Sequence, residues 1–522
     1  MKPEQISDAI GKIDDDIVAE AAGSRKSKRS RHTVVRWIAL AASVCLIFTG
    51  VMAGQAFWGR QESVQDQEKE TLEAEKLEEM ENAEDKQEQE SNETASSSYL
   101  KGAIAQAVYP QTPGYPDEMQ YIDEATGILD SVSYEKDYDA WRQCRQELSA
   151  QPEGYADGME GFFEETIREF LTGENEENRV YSPLNVYMAL SMLAEVTDGD
   201  SRQQILELLG VGDVETLRTK VSALWKSNYS DDGRVTSILG NSIWLKQNVV
   251  FQQPVLDTLA EYHYASSYQG VMGSDEMNQM LQDWLNEQTG GLLKEQVSNI
   301  KLDSNTIMAL ASSIYYKARW SDGFSKGATQ EDVFHSTEGE LTCEFMHQSS
   351  CKQYYDREGF SAVAQSLMGS GQMWLILPDE DVSVNEVLEG EDLYAFLFTE
   401  NQDTHGEYLK VNLSVPKFDV VSSADLSDGL GKLGVLDVFD SQTADFSPLS
   451  DEEIYVSRVE HGARVKIDEE GCEAAAFTVI TAATGAEMPE KEVNFVLDRP
   501  FIFVITSADE MPLFAGVVNQ PI

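Results

Sequence analysis

From Gln61 to Ser98 this chain carries fourteen acidic and three basic residues, no aromatic ring and few large aliphatic side chains. Such a stretch cannot bury enough apolar surface to offset the entropy of ordering itself, so whatever folds must fold on one side of it or the other. Leu72, Leu77 and Met80 lend it some helical tendency. Like charges along a chain repel and extend it, however, and residues 59–98 read as a solvated acidic stalk. Sequence able to build a core returns only near Tyr155, which leaves residues 154–522 as the main domain.

N-terminal to the stalk the pattern is that of an anchor. Trp37 to Trp58 contains no charged residue, and about 20 apolar residues suffice to cross a bilayer. Arg25, Lys26, Lys28, Arg29, Arg31 and Arg36 precede this run, which places residues 1–36 in the cytoplasm and everything after the 37–58 span outside the cell. The competing reading is a signal peptide cut near Val51-Met52-Ala53, giving a secreted domain; the long cationic region before it counts against that. Ile6, Ile10, Ile13 and Ile17 form a helical stripe over acidic neighbours, better read as a marginal solvated helix than as a docking element.

The formal net charge of -53 repels nucleic acid and anionic membrane surfaces, and favours a soluble, self-repelling monomer outside the span. Cys45 lies in the apolar run, and Cys144, Cys343, Cys351 and Cys472 have no zinc-type spacing. Cys343 and Cys351 could pair, although isolated thiols are the plainer reading. The six histidines are scattered too, so neither metal nor cofactor is expected.

Residues 99–153 mix turn signals such as Tyr109-Pro110 and Pro113-Gly114-Tyr115-Pro116 with aromatics including Trp141, which reads as an extension that packs on the main domain. Beyond Tyr155, Phe162, Phe163, Ile167, Phe170 and Leu171 make a helical apolar face, and Tyr187 to Val196 and Ile205 to Leu209 are further helical stretches. Strand-like runs follow at Ile307 to Tyr316, Met373 to Leu377, Leu409 to Val415, Ala463 to Ile467, Phe501 to Ile505 and Leu513 to Val518. With helices early and strands late, the fold class is α+β rather than a doubly wound sheet.

The residues themselves resemble a family. Asn178-Arg179-Val180-Tyr181-Ser182-Pro183-Leu184, Gly240-Asn241-Ser242-Ile243-Trp244, Val415-Pro416-Lys417-Phe418, Asp498-Arg499-Pro500-Phe501 and Phe514-Ala515-Gly516-Val517-Val518-Asn519 are similar to serpin motifs, in order over about 370 residues. Ala309 to Trp320 and Met346-His347-Gln348 fall in register with them. The resemblance implies three β-sheets with about nine helices and an exposed loop that can insert into the main sheet. It also implies a sheet-opening region at Ser182, Asn185, Ser312, His461 and Trp320. Ser312 stands where the family usually has Asn, and Asn185 where it often has Ser, which implies a polar cluster wired differently.

Independently of any family, Asp468 to Glu492 is long for a connection inside a compact domain and has the composition of a strand. On alternation, Cys472, Ala474, Ala476, Thr478 and Ile480 share one face, small first and larger later, as suits a strand that slips between two others. The stretch resembles a serpin hinge at Glu469, Glu470, Gly471, Cys472, Glu473, Ala474, Ala475, Ala476, Phe477 and Thr478. Cys472 replaces the usual Thr or Ser but is small enough to bury, and Phe477 points off the inserted face by parity. Counting as the family spacing implies, the scissile bond joins Gly485 to Ala486, with Thr484-Gly485 and Ala486-Glu487 as alternatives.

The resemblance then implies a mechanism. A serine protease attacks the scissile carbonyl and forms an acyl-enzyme; the freed loop inserts and drags the protease across the domain before deacylation. About a dozen ladder hydrogen bonds at roughly 1 kcal/mol each, with apolar burial, supply on the order of 10 kcal/mol, comparable with the stability of a domain. Small residues around Gly485 suit the shallow apolar pocket of elastase- or subtilisin-like proteases; Met488 could serve a chymotrypsin-like one. The expectation is a suicide inhibitor and not an enzyme. The alternative is a non-inhibitory serpin-fold binding or scaffold protein whose loop is cleaved as a substrate.

Gly323-Phe324-Ser325-Lys326-Gly327 matches the G-x-S-x-G elbow of hydrolases, but Ser321-Asp322 before it is no buried strand. Gly429-Leu430-Gly431-Lys432-Leu433-Gly434 matches G-x-G-x-x-G, yet Leu426, Leu430 and Leu433 give it helical periodicity and no dinucleotide site follows. Asn92, Asn228 and Asn412 begin glycosylation sequons.

Overall fold

A helix that is apolar on every side can be stable only if it is surrounded, and Pro183–Val196 is such a helix: all but Ala189 of its residues are buried. The computed structural model describes residues 103–521 apart from 124–125, 174–176, 370, 400–405, 473–488 and 490. Pro183 sits in the first turn, where its missing N–H costs nothing and its fixed φ suits the helix. Next to it, helix Glu160–Leu171 buries Phe162, Phe163, Ile167 and Leu171, while Phe170 stays half-buried. Helix Gly199–Leu208 follows after a two-residue break.

The strands form two hydrogen-bonded sheets. The first has Ala103–Ala105, Ala265–Gly270, Val235–Lys246, Met308–Arg319, Gly471–Cys472, Glu460–Ile467 and Phe418–Asp425 in that spatial order, with Ser230–Asp231 alongside Val235–Lys246. It is mixed: Val235–Lys246 runs parallel to Ala265–Gly270 and antiparallel to Met308–Arg319. The helix Pro183–Val196 packs under Met308–Arg319. The second sheet runs Glu492–Val496, Glu407–Pro416, Gly339–Arg357, Phe360–Ser366, Gln372–Pro378, Phe501–Thr506, Pro512–Val518, Arg179–Tyr181, with Gln330–Ser336 paired to Gly339–Arg357. Phe501–Thr506 and Pro512–Val518 are buried throughout, as continuous apolar strands covered on both faces must be.

The expectation of three sheets and about nine helices is corrected on both counts: among the described residues there are two sheets and eleven α-helices. One strand accounts for the sheet count. Gly339–Arg357 spans 19 residues and pairs with Gln330–Ser336 and Glu407–Pro416 over one part and with Phe360–Ser366 over the other. It fuses into one ladder what would otherwise be two.

Residues 103–149 lie against this body. Ala103–Ala105 adds an antiparallel edge strand to Ala265–Gly270, and Asp130 caps the 19-residue helix Ser131–Ser149 by accepting from the Ser133 N–H. Trp141 Nε1 donates to Asp232 Oδ2 at 2.8 Å, and Tyr115 N donates to Asp232 O at 2.7 Å. Among the described residues no helix is long and apolar enough to cross a membrane. The span read at Trp37 to Trp58, with its cytoplasmic segment and acidic stalk, lies outside the described residues.

Candidate functional site

Strands Met308–Arg319 and Glu460–Ile467 both run antiparallel to Gly471–Cys472, so they run parallel to each other. Gly471 pairs with Arg319, and Cys472 pairs with Ala318 on one side and Ile467 on the other. The strand that would insert is therefore already threaded into the sheet at Gly471 and Cys472. Only glycine fits at 471, because a Cβ there would run into the Ala318 carbonyl oxygen and meet Arg319 Cα at 2.7 Å. Cys472 is 4 % exposed, small and apolar enough for that slot.

A knot of bonds holds the turn that feeds this strand. Asp468 N donates to Gly471 O at 3.0 Å, while Asp468 Oδ1 accepts from Glu470 N at 2.8 Å. Trp320 ties both backbones together: its Nε1 donates to Asp468 O at 2.8 Å and its own N–H to Glu470 O at 3.0 Å. The Phe324 N–H donates to Glu469 O. Glu469 points inward, its carboxylate 2.9 Å from Lys417 Nζ and accepting from Thr329 Oγ1 at 2.7 Å. Burial alone would lift that carboxyl, but Lys417 and Thr329 outweigh it and hold the group below the usual range. Glu470 meets the exposed Lys326 at 2.7 Å.

Further down the sheet the polar residues form a seam. The Ser182 N–H donates to His461 Nε2 at 3.1 Å and Ser182 Oγ to Leu513 O at 2.6 Å. Asn185 Nδ2 reaches Ser312 O at 3.4 Å, and Ser312 Oγ donates to Asn241 Oδ1 at 2.8 Å. Burial pushes His461 down to about 4, so it is neutral and accepts from Ser182. The expected sheet-opening residues thus fall in two pairs, Ser182 with His461 and Asn185 with Ser312, while Trp320 belongs to the hinge. The departures from the family at 185 and 312 are met by Asn241, which takes the Ser312 hydroxyl.

Under the seam lies a buried charge that sequence reasoning missed. Arg218 binds Glu195 in bidentate fashion at 2.8 and 2.6 Å; His263 Nε2 lies 3.5 Å from Glu195 Oε2, and its Nδ1 lies 3.1 Å from Ser191 Oγ. Burial would raise the Glu195 carboxyl, yet Arg218 and His263 pull it down to about 2. Asn241 Nδ2 donates to His263 O at 2.8 Å, joining this network to the seam. Ser191, His263 and Glu195 have the residue types of a catalytic triad. They are 0 %, 0 % and 2 % exposed, so no substrate carbonyl reaches them.

A model of the family Serpin (serine protease inhibitor) matches residues 159–521. The chain belongs to the serpin family. It is 28% identical over 367 residues to a human leukocyte elastase inhibitor, an alignment covering 67% of this chain and 95% of that protein. It is likewise 28% identical over 370 residues to Serpin-ZX of Arabidopsis thaliana, covering 67% of this serpin and 94% of the relative. Among solved structures, the native state of the thermophilic serpin Tengpin superposes with a TM-score of 0.63 at 26% identity, over 71% of this chain and 95% of that one.

Of the hinge residues read from the sequence, Glu469, Glu470, Gly471 and Cys472 are placed; Glu473, Ala474, Ala475, Ala476, Phe477 and Thr478 lie outside the described residues, as do Thr484, Gly485, Ala486 and Glu487. Lys417 and Thr329, which grip Glu469, were not singled out, although Lys417 stands in one of the quoted motifs. Ser325 is exposed on the turn before the short helix Lys326–Ala328, with no strand running into it, and this loop serves the hinge through Phe324 and Lys326. None of the four described cysteines is in a disulfide. Of the sequons, Asn92 lies outside the described residues, Asn228 is buried and bonded to Leu224 O, and Asn412 donates to Glu492 and Asn494.

Proposed function

We propose that this serpin inhibits serine proteases of elastase or subtilisin type as a suicide substrate whose loop inserts into the first sheet. The observation that carries the reading is Gly471–Cys472 seated between Met308–Arg319 and Glu460–Ile467, in register with both. A strand continued from that point would be antiparallel to two neighbours, the better-bonded arrangement.

The protease serine Oγ adds to the Gly485 carbonyl carbon, its proton passing to the protease histidine. The Gly485–Ala486 peptide bond then breaks, the histidine returns the proton to the departing Ala486 amine, and an ester remains. Insertion must outrun the water that would hydrolyse that ester. On the order of 10 kcal/mol from new ladder bonds and burial is enough to distort a protease whose own stability is of that size. The small residues at 484–486 and the likeness to a protein named leukocyte elastase inhibitor support the choice of target. The uncharged run from Trp37 to Trp58 supports a tether that holds the inhibitor outside the cell, as a monomer without cofactor or nucleic acid partner.

The test is to mix the purified protein with neutrophil elastase, subtilisin and trypsin and look for a conjugate that survives denaturant. Conjugates with the first two and not with trypsin are expected. Cleavage without a conjugate would instead make the protein a serpin-fold scaffold or binding protein. Thr478→Pro removes a ladder donor and should turn inhibitor into substrate. Nicking the loop should raise the melting temperature sharply; an unchanged melt would sink the insertion mechanism.

A further inference from the structure

A charge held away from water is costly, and Lys352 lies half-buried in the middle of the long strand Gly339–Arg357. Among the described residues it makes one hydrogen bond, from Nζ to Gln365 Oε1 at 2.7 Å, and no ion pair. Burial pushes its ammonium below the usual lysine range, and the Asp322 carboxylate only partly offsets this. Gln348 Oε1 and Ser350 Oγ, on the same face of the strand by alternation, are buried without partners. An apolar side chain at 352 would carry no such cost, so the charge must be judged by what it holds in place.

It holds an amide. A lysine has only donors to offer, so the buried Gln365 must turn its oxygen toward Lys352 and its NH2 the other way. That NH2 donates to the Asp322 carbonyl at 2.6 Å. Gln348 Nε2 donates to the same carbonyl at 2.9 Å and to Gly323 O at 3.3 Å. The Ser321 N–H donates to Ser366 O at 2.9 Å, so side chains and backbone of the second sheet together grip residues 321–323.

The gripped residues are flanked by the two that fasten the hinge turn. Trp320 gives its N–H to Glu470 O and its indole to Asp468 O, and the Phe324 N–H goes to Glu469 O. A shift at Asp322 therefore displaces donors to three consecutive hinge carbonyls at once. Those carbonyls belong to the turn that sets Gly471 against Arg319 and Cys472 against Ala318. An entry one residue out of step would turn every later side chain to the wrong face of the sheet.

We propose that Lys352 is a positioning residue: by orienting the Gln365 amide it fixes the 320–324 loop, and through that loop the register in which a strand continued from Cys472 enters the first sheet. The inference deepens the insertion reading above and rests on it. Its effect falls on the contest with water and not on the attack by the protease. A hinge turn out of register delays entry, and water then splits the waiting ester into cleaved protein and free protease.

The experiment takes two readings on the full-length protein. One is the ratio of cleaved product to denaturant-resistant conjugate after mixing with neutrophil elastase. The other, with no protease present, is amide hydrogen exchange in residues 320–324 and 468–472. Lys352→Met should raise the ratio about fivefold and speed the exchange by about as much, as the loss of one hydrogen bond to a charged group implies. Lys352→Arg, which keeps a donor for Gln365 Oε1, should stay within about twofold of wild type on both. Gln365→Glu separates positioning from the mere burial of a charge. It pairs Lys352 with a carboxylate but offers no N–H to Asp322 O, so it should behave like Lys352→Met, whereas a lysine that served stability alone would gain from it. Should Lys352→Met fail to fold, Gln365→Glu carries the test. Folded variants that match wild type in either reading overturn the assignment and leave the insertion reading standing. Wild-type protein that gives cleaved product and no conjugate overturns that reading, and this inference with it.

Discussion

The Met308–Arg319 strand is held in different ways at its Arg319 end and at Ser312 in its interior. At Arg319 the hinge is fastened by short bonds from backbone, indole and carboxylate, with Glu469 gripped by Lys417 and Thr329. Near Ser312 the contacts across to the helix below are long, at 3.4 and 3.5 Å, and the firm bond runs sideways to Asn241. The contrast teaches that the sheet is fixed where a strand would enter and lightly held where it would have to travel. Underneath, the seam is backed by the buried Glu195 carboxylate, which cannot lose the partly exposed Arg218 without leaving a charge in an apolar interior.

The largest test of this contrast is Arg218→Met, which leaves the buried Glu195 with only His263 beside it and should cost about 3–4 kcal/mol. Because the network lies below the sheet, urea midpoints of intact and nicked protein should fall together; a loss confined to the intact form would tie the ion pair to the hinge instead. Next comes acid. His461 is neutral in the fold at about 4, against roughly 6.5 in an unfolded chain, so between those values the unfolded state binds the extra proton and stability falls as pH falls. Most of a full loss of about 3 kcal/mol should appear as a fall in the wild-type urea midpoint between pH 7 and pH 4.5 that His461→Gln does not share. Gly471→Val comes third. It drives a side chain into the Ala318 carbonyl and should cost about 1–3 kcal/mol in the intact form, while the yield of protease conjugate drops in favour of cleaved product. Lys326→Ala comes last: its partner Glu470 sits at the rim and the lysine is solvated, so no change in Tm is expected at physiological salt.

Much of the fold was legible because it is written in local patterns. The runs at Met373 to Leu377 and Phe501 to Ile505 became strands Gln372–Pro378 and Phe501–Thr506, and the helical stripe at Phe162 became Glu160–Leu171. The long Gly339–Arg357 strand was not legible, because its polar middle around Cys351-Lys352-Gln353 breaks the apolar run by which a strand is read. The hinge was found from composition and alternation, but its fastenings were not, since Lys326 and Lys417 lie far from Glu470 and Glu469 along the chain. No spacing rule joins residues that only the fold makes neighbours. Glu195 did leave one trace: a lone acid at the end of a helix otherwise apolar on every side asks for a buried partner.

Cys472 already lying between its two neighbours has a bearing on timing. Zipping a strand into a ladder is slow at its first contact, when freedom is lost before bonds accumulate, and quick thereafter. Like a fastener whose slider is already engaged on the first teeth, the domain has that first contact in place, so under the proposed insertion the contest with water would turn on how fast the remaining teeth close.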